Sequence, residues 1–159
     1  MSRHKLAVVQ AAPVAFDRAR SIAKAVQLAD EAARSGAELV LFPEAFIPAY
    51  PRGLDFGAVI GARSEKGRED FRRYWDSALD VPGPDSDLLA AAARRNRIYL
   101  VIGVIEREGG TLYCSVLFYG PDGALLGKHR KLVPTASERL VWGSGDGSTL
   151  TVIDTPLGR

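Results

Sequence analysis

Across 159 residues the chain holds one cysteine, two histidines and one methionine. A single thiol, Cys114, cannot close an internal disulfide, which fits a reducing compartment and points to the cytoplasm. His4 and His129 stand alone, and no group of ligand-type residues has metal spacing, so neither a metal nor another cofactor is expected. Long apolar runs are lacking as well, and no membrane span is expected. The basic start Met1-Ser2-Arg3-His4-Lys5 leads into an apolar run that is too short for a secretory leader and is broken at Gln10. Charge of one sign is barely in excess: 21 basic residues against 19 acidic ones give a net charge of +2. The sequence pI near 8.8 is therefore weak support for nucleic-acid binding, which is not expected. There is no repeat and no low-complexity linker.

What is present is an ordinary globular composition, 47% hydrophobic and 25% charged, enough for one domain with a sizeable core. Leu6 to Ala11 reads as a short strand buried on both faces. Asp17 or Ser21 can cap the next segment, where Ile22, Ala25, Val26, Ala29, Ala32 and Ala33 recur at helical spacing and Gly36 ends the run. Glu38 to Phe42 is a second strand, and strand-helix-strand predicts a parallel pair. Residues 45–63, rich in Pro, Gly and aromatics, read as a long loop of the functional kind. A helix is expected over 65–79, with Phe71, Tyr74, Trp75 and Leu79 on its core face. Another follows, capped by Asp85 or Ser86 and running through Arg97. Ile98 to Ile105, Leu112 to Tyr119 and Ala124 to His129 then read as strands joined by tight turns at Glu106 to Gly110 and at Pro121-Asp122-Gly123, an antiparallel section. Thr149 to Thr155 reads as a sixth strand.

Two stretches carry the chemistry. Lys128-His129-Arg130-Lys131 puts four cationic-type residues at the end of an apolar strand, and an inward-pointing Lys131 needs a carboxylate nearby. Glu44, after the apolar run 37–43, is the candidate partner. Pro43-Glu44-Ala45-Phe46, then Pro48-Ala49-Tyr50-Pro51-Arg52-Gly53, and later His129-Arg130-Lys131-Leu132-Val133-Pro134-Thr135 with Glu138-Arg139 and Trp142-Gly143-Ser144-Gly145-Asp146-Gly147-Ser148, together resemble the nitrilase family of carbon-nitrogen hydrolases. The likeness runs from Leu6-Ala7-Val8-Val9-Gln10 to the last residues, so residues 4–159 are expected to be the N-terminal part of such a domain. It is nearer to the true nitrilase branch than to the amidase branches.

The resemblance implies an α/β fold, part of a four-layer α-β-β-α sandwich, and a homo-oligomer acting on a small-molecule nitrile. It implies Glu44 as general base, Lys131 as the cation that stabilises the tetrahedral intermediate, and Glu138 as a second acidic residue of the site. Substrate contacts are expected from Tyr50, Pro51 and Trp142. The nucleophilic cysteine of the family would follow Gly158-Arg159 by a few residues, so the 159-residue chain by itself is expected to be inactive. Cys114, mid-strand among apolar residues, reads as a buried and inert thiol. Lys128, Arg130 and Arg139 read as solvated surface charges. Gly143 to Gly147 lacks the Lys-Ser/Thr of a phosphate loop and precedes a strand, so it reads as a tight turn. Two alternatives stay open: an amidase or nitrile hydratase outcome on the same scaffold, and a non-catalytic fragment that only associates with other chains.

Overall fold

The computed structural model of this chain describes residues 3–59 and 64–159; the last residues of the long loop, 60–63, lie outside the described residues. The apolar runs assemble one five-stranded sheet, ordered β1 (Leu6–Val8), β2 (Leu39–Leu41), β3 (Tyr99–Glu108), β4 (Thr111–Tyr119) and β5 (Leu125–Arg130). β1, β2 and β3 are parallel, with Leu6 beside Leu39 and Leu39 beside Tyr99. β3, β4 and β5 are antiparallel. The strand-helix-strand reading of the first half and the hairpin reading of the second are thus both present in one sheet.

Helix α1 (Arg18–Arg34) follows β1, and α2 (Glu65–Ser77) and α3 (Pro84–Asn96) precede β3. Apolar residues at helical spacing on α1, Ile22, Ala25 and Ala29, meet Leu89 and Ala93 of α3 and the sheet residues Val40, Leu100, Ile102 and Leu117 in the main core. Removing side chains of the Leu and Ile size from water is worth roughly 1.5–3 kcal/mol each. A second cluster collects Tyr74, Ala78, Ile105, Leu112, Cys114, Trp142 and Ala45. Alternation along the strands sends Leu6, Val8, Leu41 and Val101 to the other face of the sheet, where Leu6, Val8 and Leu41 are exposed.

Several boundaries differ from expectation. Asp17 is the cap of α1, its carboxylate accepting from Arg20 N–H, while Ser21 is buried and bonds to Val14 instead. α3 is capped by Gly83, not by Asp85 or Ser86. Pro84 takes the first helical position, where its missing N–H costs nothing, and Ser86 Oγ reaches back to Gly83 N–H. β3 runs on to Glu108, so the turn is only Gly109-Gly110, both at positive φ, and Glu106 belongs to the strand. The sixth strand is absent. Asp146 instead caps a single 3-10 turn at Gly147–Thr149, which curls the chain, and β5 meets it through side-chain bonds, with Arg130 N–H donating to Thr149 Oγ1.

Candidate active site

The position of Glu44 follows from an interruption in strand pairing. Phe42 N–H still donates to Val101 O, and Ile47 N–H donates to Gly103 O. Between them the chain leaves the sheet plane and passes over β3 at Gly103. A Cβ there would lie 2.3 Å from Pro43 O and 2.7 Å from Glu44 Cα, so only glycine admits the crossing. Ala45 sits at φ 48, a left-handed conformation that costs an alanine about 1 kcal/mol or more and that the surrounding packing must hold. The result is a glutamate lifted off the open face of the sheet, its side chain 50% exposed.

Alternation sorts the cationic run. Arg130 lies opposite Ser115, and Ser115 opposite Val104, so these three share the helix-covered face; Lys128, opposite Leu117, shares it too. His129 and Lys131 therefore turn to the open face with Glu44. His129 Nδ1 lies 3.0 Å from Thr149 O. Lys131 continues the pairing past the end of β5, its N–H donating to Cys114 O at 2.7 Å. Lys128 and Arg130 are not solvated surface charges, because both pair with Glu106, which is fully buried. The sequence reading missed Glu106. Its signal was available as an acidic residue two places after Leu100, Ile102 and Val104 in the buried alternation. Arg139 Nε donates to Pro134 O.

Lys131 Nζ lies 2.9 Å from Glu44 Oε1 and 2.9 Å from Glu138 Oε2. Glu138, only 9% exposed, stands in the 3-10 turn Ala136–Leu140. Its Oε2 also accepts from Thr135 N–H at 2.5 Å and its Oε1 from the Tyr50 hydroxyl at 2.8 Å. Partial burial works against the charge of Lys131, but the hydrogen bonds it donates to Glu138 and Glu44 prevail and hold the ammonium above its usual range. Burial likewise opposes ionisation of Glu138, and the donors Lys131, Thr135 and Tyr50 overcome it, keeping the carboxyl below its usual range.

Of the residues expected to touch substrate, Tyr50 and Pro51 line an open groove together with Glu138 and Val141. The Tyr50 hydroxyl is committed to Glu138, which raises its pKa. Trp142 is 3% exposed, so it has little surface to offer. Its indole N–H donates to the Tyr74 hydroxyl, its ring packs edge-on against Tyr50, and Lys131 Nζ stands 5.7 Å from its centre. Trp142 is a wall behind the lysine. Cys114 is buried, as its setting predicts, yet its Sγ lies 3.4 Å from Glu44 Oε1, at the site and not remote from it. Burial, and then the Glu44 charge, push its thiol up to about 12, so it is no ready thiolate. Phe42, Gly103, Val116 and His129 complete the hollow around Glu44, Cys114 and Lys131. Among the described residues no group of His, Cys, Asp and Glu could hold a metal ion.

A half-exposed carboxylate beside a fixed ammonium, on the sheet face opposite the main core under α1 and α3, is an arrangement that can take a proton and offset developing negative charge. The carbon-nitrogen hydrolase family model matches residues 5–159, and the chain belongs to that family. It is 58% identical over 152 residues to the bifunctional nitrilase/nitrile hydratase NIT4A of Lupinus angustifolius, covering 96% of this chain and 44% of that protein. With nitrilase 1 of Arabidopsis thaliana the identity is 55% over 155 residues, 98% of this chain and 45% of the relative. The chain thus spans less than half the length of these relatives. Among solved structures, Nit3 of Saccharomyces cerevisiae superposes with a TM-score of 0.69 at 22% identity, covering 96% of this chain and 52% of that one. An amidase from Nesterenkonia sp. gives 0.66 at 20% identity, covering 91% and 49%. The sheet and its helical cover are those of the carbon-nitrogen hydrolase fold, the α/β class that the resemblance implied.

Proposed function

We propose that this chain is the base-and-lysine portion of a nitrilase-type hydrolase, which converts a nitrile to a carboxylic acid and ammonia. The observation that carries the reading is the single ammonium of Lys131 held 2.9 Å from each of two carboxylates, Glu44 and Glu138. The nucleophile is the family's cysteine, placed by the resemblance a few residues past Gly158-Arg159, and Cys114 is not that residue. Glu44 takes the proton of that thiol, and the thiolate forms a C–S bond to the nitrile carbon while the nitrogen gains the proton, giving a thioimidate. Water, deprotonated by Glu44, adds to that carbon; the nitrogen takes that proton from Glu44 and the proton of the new hydroxyl, and the C–N bond breaks as ammonia departs, leaving a thioester. A second water releases the acid and restores the thiol. The thiolate addition places negative charge on the nitrile nitrogen, and the two water additions pass through tetrahedral species; Lys131 supplies the fixed positive charge for the charge that develops. Glu138, braced by Tyr50 and Thr135, holds Lys131 in place. Trp142 backs the lysine, and Tyr50 and Pro51 line the approach for a small nitrile. The whole protein assembles as a homo-oligomer in the cytoplasm.

The names of the plant relatives favour a second outcome on the same atoms, in which the tetrahedral adduct expels the thiol in place of ammonia and releases the amide. The test is product analysis of the whole protein given simple nitriles. Acid with stoichiometric ammonia supports the nitrilase reading; amide alone supports the hydratase one. No turnover of any nitrile overturns both.

A further inference from the structure

β5 is the edge strand of the sheet, yet it must aim Lys131 to within hydrogen-bonding distance of two carboxylates. Its pairing with β4 carries an irregularity between Phe118 and Tyr119, just where β5 begins. A bulge at that point uncouples the register downstream from the geometry of the turn before it. A slip of one residue would turn Lys131 to the helix-covered face and Arg130 to the open one. Something further along the strand must therefore fix the register.

We propose that Glu106, on the reverse face of the sheet, is the positioning residue for Lys131. It has no exposed surface, and its two oxygens are filled entirely from β4 and β5. Oε2 accepts from Ser115 Oγ at 2.8 Å and from Arg130 Nε at 2.8 Å. Oε1 accepts from Arg130 Nη2 at 2.7 Å and from Lys128 Nζ. The donors sit at positions 128 and 130 of β5, the two that share a face, and Lys131 follows on the other. The paired fork of Arg130 fits a carboxylate in one orientation only, and its guanidinium is pinned further by Glu108 and by the Tyr113 ring, whose centre lies 4.0 Å away. Moving β5 by one residue would tear the three bonds it supplies, from Lys128 and Arg130, and leave a buried carboxylate with the Ser115 hydroxyl in place of two cations. Glu106 thus acts through Arg130 and the backbone, touching neither substrate nor Lys131.

The assignment rests on Lys131 acting as proposed above only for its effect on turnover. Its structural part is read on the 159-residue chain by hydrogen exchange and by labelling with an amine-acylating reagent. In Glu106→Gln, the Lys131 amide that donates to Cys114 O should exchange at least about tenfold faster, with greater acylation of the Lys131 amine. The Val9 and Phe42 amides at the far side of the sheet should keep their rates. Ser115→Ala, which removes one of the four bonds and threatens the fold least, should give the same pattern at a few-fold. In the whole protein, Glu106→Gln should lower kcat about 10- to 100-fold with KM within about twofold. Unchanged exchange and labelling at Lys131 in both variants overturns the proposal, as does an equal rise at Val9, Phe42 and Lys131 in Ser115→Ala, which would mean a general loss of stability. Faster exchange confined to β5 without any nitrile turnover in the parent supports Glu106 and counts against the nitrile reading instead.

Discussion

Two clusters of carboxylate and cation lie back to back across the antiparallel half of the sheet. On the helix-covered face, Glu106 meets Lys128 and Arg130; on the open face, Glu44 and Glu138 meet Lys131. The ingredients are alike, and strand alternation alone distributes four consecutive residues between them. The difference lies in what remains free. Glu106 is fully buried with every oxygen engaged, whereas half of the Glu44 side chain is exposed and Oε2 of Glu44 has no protein partner in the hydrogen bonds described. A satisfied buried cluster can fix a geometry but has no oxygen to lend to a reaction. A half-open one can take a proton.

The sharpest way to break this comparison is to disable the open cluster. In the whole protein, Glu44→Gln or Lys131→Ala should lower nitrile turnover by about two to four orders of magnitude, the scale of a general base or a charge-stabilising group. Thermal stability should change little, since the pair is partly solvated and such pairs contribute modestly. Turnover near that of the parent in either variant, measured as ammonia release, would remove these roles.

The closed cluster should respond the opposite way. Glu106→Ala leaves two cations facing a buried gap and is expected to cost about 3–5 kcal/mol, seen as a fall in the denaturant midpoint. The milder Glu106→Gln tests pH dependence. Burial opposes ionisation of Glu106, but the hydrogen bonds from Arg130, Lys128 and Ser115 more than offset it, so the folded-state pKa lies below its ordinary value of 4.5. A depressed carboxyl stabilises the fold fully above its unfolded value and loses that contribution as pH falls through the folded one. Below about pH 4.5 the parent should therefore lose stability more steeply than Glu106→Gln. Parallel acid profiles for the two would show that Glu106 is not held ionised.

Sequence pattern reached the open cluster more readily than the closed one, and the reason is physical. Glu44 and Lys131 stand at the ends of apolar runs, where a charge breaks the local pattern, while Glu138 was reached through the family resemblance. The parallel and antiparallel parts of the sheet were legible from the same runs, as was the helical face of α1. Glu106 fell inside a stretch, Glu106-Arg107-Glu108-Gly109-Gly110, whose charge and glycines read as a turn. Only the register with β4 and β5 reveals that it points inward. Similarly, Thr149 to Thr155 has strand-like residues, but a strand also needs a free edge, and the side chain of Thr149 and the Asp146 cap already engage the chain beside β5. The hydrogen bond from the Tyr50 hydroxyl to Glu138 joins residues 88 positions apart, a separation no local reading spans.

That hydrogen bond supplies a finer comparison. Tyr50→Phe keeps the ring against Trp142 and removes only the donor to Glu138. Glu138 retains Lys131 and the Thr135 amide, so turnover should drop only about three- to tenfold, in keeping with one bond to a charged group at a partly wet site. A loss as large as that of Lys131→Ala would mean that Tyr50 acts on the substrate itself.

The smallest effect is expected where the two clusters nearly touch, at Cys114, which lies beside Glu44 on the open face while its strand neighbour Ser115 donates to Glu106 on the other. Serine in place of Cys114 keeps a donor for Glu44 Oε1 but exchanges a weakly polar thiol for a hydroxyl in an apolar wall, which costs about 1 kcal/mol. If Cys114 is a buried thiol held neutral by its surroundings, as its elevated pKa of about 12 indicates, Cys114→Ser in the whole protein should keep turnover within about threefold, with a modestly lower denaturant midpoint. Activity abolished by this substitution, together with a substrate-derived adduct found on Cys114 by peptide mass mapping, would make it the nucleophile and overturn the division of labour drawn here between the two faces.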